Sequence, residues 1–104
     1  NSMIKSKYFN MGKIVVTKEI NTAMRENSKF ALEVSLSLQR YGIKDWGNLH
    51  IEDRKLNNTA LNNPDDLYLM GAYDTCKGKI WIITERISEI PGDNATTVLF
   101  PDER

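Results

Sequence analysis

The chain has one cysteine, one histidine and three prolines among 104 residues, and its 14 basic and 14 acidic residues leave no net charge. One cysteine excludes an intramolecular disulfide and fits a reducing compartment. Structural zinc takes four Cys or His ligands, and two are present, so no metal site is expected. The balanced charge lacks the basic excess of a dedicated nucleic-acid binder. No apolar run approaches the roughly 20 residues that span a bilayer, so no membrane role is expected. Met3-Ile4-Lys5-Ser6-Lys7 is basic, yet no long apolar core follows, so no secretory leader is expected either. A Gly-rich phosphate loop, a Walker pattern and a serine elbow are all missing. These absences point away from an enzyme and from any cofactor.

What is present is ordinary globular composition, 40% hydrophobic and 27% charged, in a length typical of one domain. Such a chain buries roughly 65% of its unfolded surface, enough for a single core. Asn1-Ser2 precedes the first methionine and reads as a cloning remnant. Met11 offers a second start, which makes residues 1–10 a leader and 11–104 the domain. The charge is mildly polar: residues 1–52 carry 8 basic and 5 acidic side chains, and the remainder 6 and 9.

Lys13-Ile14-Val15-Val16 is β-branched and reads as a short strand or as the lead into a helix. Thr17 is an N-cap candidate, with Glu19 in the first turn where the helix dipole favours an anion. Asn27-Ser28 interrupts that helix and caps the next, over 28–41. There Phe30, Ala31, Val34, Leu38 and Tyr41 form a core stripe, and Gly42 supplies the stop. Leu32 and Leu36 make a second stripe, to be buried under a neighbouring helix or to serve as a dimer or partner surface. A polar helix over 51–62 has Leu56 and Ala60 on one face and ends at Asn63-Pro64.

The rest reads as strands over 67–74, 80–84 and 96–100. Thr75-Cys76-Lys77-Gly78 forms a hairpin turn in which Gly78 takes positive φ. The expected fold class is α+β: two to three N-terminal helices packed on one face of a C-terminal antiparallel sheet of about three strands. The sheet's second face also carries Tyr, Met and Trp side chains, so it needs a cover or a partner.

Cys76 lacks any local protease signature, and Lys77 and Lys79 beside it read as solvated turn residues. His50-Ile51-Glu52-Asp53 opens a polar helix, where acids are favoured anyway. Tyr68, Tyr73 and Trp81, near Lys77, Lys79 and Arg86, read either as core aromatics or as a base-stacking platform for nucleic acid. Trp46 lies in a Lys-Asp-Trp-Gly-Asn turn and has two readings. It plugs the gap between the second and third helices, or it anchors a partner, with Arg40, Lys44 and Arg54 pairing to an acidic protein or a phosphate backbone.

Several segments together carry a family resemblance: Asp45-Trp46-Gly47, Glu52-Asp53 with Asn57 and Ala60, Gly71-Ala72-Tyr73, residues 78–85 and residues 96–103. Over residues 13–103 the chain resembles small "plasmid-related" proteins of Firmicutes plasmids, prophages and integrative elements. Residues 86–94 run longer than the family's usual link, and Arg104 stands where a tyrosine is expected. The resemblance implies a non-enzymatic accessory protein in the bacterial cytoplasm that binds its target stoichiometrically. The implied target is a host defence effector, such as a CRISPR nuclease complex. The alternative is an RNA- or DNA-binding regulator of element maintenance, and a homodimer is compatible with either.

Overall fold

The computed structural model describes residues 4–104, so the remnant expected at Asn1-Ser2 lies outside the described residues. Lys13–Val16 is a strand, β1, as three successive β-branched residues favour. Thr17 ends it: its side-chain oxygen accepts from the Ile20 N–H and caps Lys18–Glu26, α1. Asn27 caps Ser28–Gly42, α2, by accepting from the Phe30 N–H at 3.0 Å. Gly42 is the last helical residue and not the stop. The left-handed residue that turns the chain is Lys44, at φ 67°, and the Ile43 N–H satisfies terminal carbonyls.

His50 caps Ile51–Ala60, α3, through Nδ1. This helix ends two residues before the expected boundary, and of the pair expected to share a face Ala60 packs against the core while Leu56 does not. Leu56 is 66% exposed, and Asn57 is the buried residue. After a single 3-10 turn at Pro64–Asp66 come Tyr68–Thr75 (β2), Gly78–Arg86 (β3) and Asn94–Leu99 (β4).

The α+β class stands, with three antiparallel strands after the helices, but the sheet has four strands in the order β1-β4-β3-β2. β1 joins parallel to β4, with Val16 opposite Val98. The physical reason is the free edge of β4, whose unpaired N–H and C=O groups accept a strand. The connection from β1 to β4, through the helices and the β2–β3 hairpin, is long enough for a parallel crossover.

The register puts Leu69, Gly71 and Tyr73 of β2 on the same face as Ile80, Ile82 and Thr84 of β3. Thr96 and Val98 of β4 continue that face. It packs beneath α1 and α2 against Ile20, Phe30, Val34, Leu38 and Tyr41, all buried. A buried hydroxyl relay crosses the layers. Tyr41 donates to Thr84 Oγ1 at 2.7 Å, and Thr96 donates to the Met11 carbonyl at 2.6 Å. Thr84 therefore donates to Thr96, the remaining 2.7 Å link. Burial pushes the Tyr41 pKa up, which keeps the phenol a donor.

Residues 4–10, expected as a leader outside the domain, are packed onto it. Phe9 meets the Tyr41 ring edge-on at 5.5 Å, and Ser6 Oγ donates to the Gly42 carbonyl at 2.7 Å.

Candidate protein-binding surface

Leu32, Leu36 and Ile43 of α2 and its C-cap are 60%, 48% and 64% exposed. With Gln39 they fall within about 60° of helical arc, centred opposite the core stripe. The first reading of the second stripe, burial under a neighbouring helix, is therefore corrected. α1 touches α2 without covering this face. Single exposed leucines are unremarkable, but an apolar row along one helix is a patch.

The patch continues at Ile43 into a groove of about 660 Å³ between α2 and β1. Ile4, Ile14, Val16, Leu38 and Ile43 form its apolar walls and Lys5 stands at its rim. β1 is one edge of the sheet. The opposite edge, β2, is sealed. The Ala72 N–H donates to the Trp46 carbonyl at 3.0 Å, and the Asn48 N–H donates to the Ala72 carbonyl at 2.7 Å. The Asn57 side chain completes the seal, donating to the Met70 carbonyl at 2.7 Å and accepting from the Met70 N–H at 3.1 Å. A side-chain amide thus imitates the next strand.

Of the residues singled out from sequence, Trp46 is 5% exposed. Its ring packs on Tyr41 at 5.4 Å and on Phe9 at 6.1 Å. It closes the core against Tyr41 and Phe9 and is not a surface anchor. Gly47 follows with φ 73°, and a Cβ there would lie 2.0 Å from the Ala72 carbonyl oxygen. Only glycine allows the edge-sealing segment so close.

The cations around Trp46 are largely engaged. Arg40 binds Asp45 through Nε at 2.7 Å and lies over the Tyr73 ring at 5.1 Å. Its guanidinium holds the Asp45 carboxyl below the usual range. Arg54 Nε donates to the Leu49 carbonyl at 2.9 Å, and Lys44 sits over Tyr8 at 4.6 Å.

The expected aromatic platform is split. Tyr73 is buried on the helix side, donating to the Asp45 carbonyl at 2.7 Å. Tyr68 and half-buried Trp81 share the opposite face, paired with Glu85 and Ala72 respectively. Lys79 lies 3.5 Å from Asp74 and Arg86 4.0 Å from Asp66, so nearby carboxylates dilute the positive field. Lys77 stands exposed at the hairpin tip.

Cys76 occupies that tip, with Gly78 at φ 100°. The Cys76 N–H donates to Glu33 Oε1 of α2 at 2.9 Å. The adjacent Glu33 carboxylate pushes the thiol's pKa up, and the Cys76 N–H holds the Glu33 carboxyl down. A raised thiol pKa lowers the fraction present as thiolate.

Scans against family models, curated proteins and solved structures returned no match to this chain. Among the described residues, no three His, Cys, Asp or Glu side chains gather to hold a metal ion, and no helix is long and apolar enough to cross a membrane. Sequence reasoning missed Ile43, Ile14 and Val16 as surface elements. The signal for Ile43 was available, since it continues the helical period of Leu32 and Leu36. The groove had no signal, because it joins residues far apart in sequence.

Proposed function

We propose that this protein acts by stoichiometric protein binding through the outward face of α2. The observation that carries the reading is the exposed row of Leu32 and Leu36 on α2 with Ile43 at its C-cap. Helix faces of this kind gain affinity when apolar anchors enter a partner's groove. The proposed partner is a bacterial host defence effector, such as a CRISPR nuclease complex, met in the cytoplasm; this part of the reading rests on the resemblance of segments within residues 13–103 to small proteins of Firmicutes mobile elements. Nearby carboxylates at Lys79 and Arg86 give the nucleic-acid alternative less support.

The test is protection of a targeted plasmid in a host with an active CRISPR nuclease, comparing the wild-type chain with Leu36→Asp at equal folded concentration. The wild type protects and Leu36→Asp does not. Equal protection by both would discard the α2 face. No protection by either, with nucleic acid recovered alone in pull-downs, would replace the reading with the nucleic-acid alternative.

A further inference from the structure

The two edges of the sheet are treated differently, and the difference has a chemical content. β2 is sealed by a bridge and by the Asn57 amide, whereas β1 has no backbone partner beyond β4 among the described residues. The Thr17 N–H donates to the Val98 carbonyl at 3.1 Å. With the parallel register, this bond turns the N–H and C=O of Lys13 and Val15 toward β4. Those of Ile14 and Val16 point outward, and the side chains of these two residues line the groove beside α2. An open strand edge thus runs along an apolar groove.

Charge decides what fits there. Lys5 lines the groove, Lys13 opens β1 and Lys18 follows it, and no acidic residue occurs between positions 4 and 18. The one carboxylate bonded at the strand's end, Glu103, is engaged by Thr17 Oγ1 and the Phe100 N–H. None of these three lysines lies within ion-pair distance of a carboxylate among the described residues. A second copy would bring the same lysine-rich edge and no acidic segment to neutralise it, so charge favours an acidic partner over a second copy.

We infer that the β1 edge accepts an extended acidic segment of another protein by strand addition. Its backbone bonds Ile14 and Val16, an apolar side chain enters the groove, and its carboxylates meet the lysines. This rests on the reading of the chain as a binding protein, but uses a surface other than the exposed row of α2.

The test is an amide-resolved NMR titration with a blocked octapeptide alternating valine and glutamate, beside a valine–lysine control. The acidic peptide should shift the Ile14 and Val16 amides saturably and weaken as salt rises from about 50 to 300 mM, while the lysine control does nothing. Ile14→Pro removes an outward N–H without touching the β4 ladder, and should weaken binding about tenfold or more. Should that variant misfold, Lys13→Glu with Lys18→Glu should reverse the preference toward the lysine peptide. Leu36→Asp should leave the titration unchanged, which separates failure of this inference from failure of the α2 reading. The inference is overturned by an acidic peptide that shifts no β1 amide, by equal binding of both peptides, or by concentration-dependent shifts at 13–16 without peptide, which would mark a second copy.

Discussion

Glu33 ties the hairpin tip to α2, and its effect on Cys76 can be read directly. A thiol whose pKa is raised by a neighbouring carboxylate alkylates slowly, because the thiolate is the reactive form. Glu33→Gln should therefore speed iodoacetamide modification of Cys76 at pH 8, and Cys76→Ser should leave the melting temperature unchanged. A slower or unaltered rate in Glu33→Gln would show that the carboxylate does not control the thiol. Trp46 makes a second prediction at this scale. Because its ring closes the core against Tyr41 and Phe9, Trp46→Ala should cost about 3–5 kcal/mol in denaturant unfolding. A loss below about 1 kcal/mol would contradict its burial. The sequence raised both possibilities for Trp46 and had no means of choosing, since a turn residue follows no period and its partner Phe9 lies 37 positions away.

At the scale of elements, legibility followed local physics. The Thr17 and Asn27 caps, the hairpin turn with Gly78 and the core stripe of α2 were readable, because each depends on neighbours within a few residues. The parallel docking of β1 was not, since nothing in Lys13–Val16 specifies which distant strand it meets. The role of Asn57 was equally hidden: a polar residue in a polar helix gives no sign that its amide will seal a strand edge. Asn57→Ala would leave the Met70 N–H and C=O without partners and should cost about 1–3 kcal/mol. Hydrogen exchange should quicken at Met70 and remain slow in β4. Unchanged protection at Met70 would mean that the seal is dispensable.

For the whole molecule, the segment before Met11 belongs to the folding unit. Phe9, Ser6 and Asn10 bind α2, Trp46 and the loop before β4. A chain starting at Met11 should lose several kcal/mol, since removing a packed phenylalanine alone costs about 3–5 kcal/mol. The candidate surface was half legible. The row of Leu32 and Leu36 stood out by its period, but its exposure depended on where α1 packs, which is a property of the assembled layers. That exposure underlies the central claim that the α2 face is for binding and not for folding. The most direct measurement pairs thermal unfolding of the Leu32→Asp, Leu36→Asp double variant with its protection of a targeted plasmid. The account predicts a melting temperature within about 2 °C of wild type, as befits surface substitutions, and loss of protection. A variant that melts much lower, or one that protects as well as wild type, would contradict it.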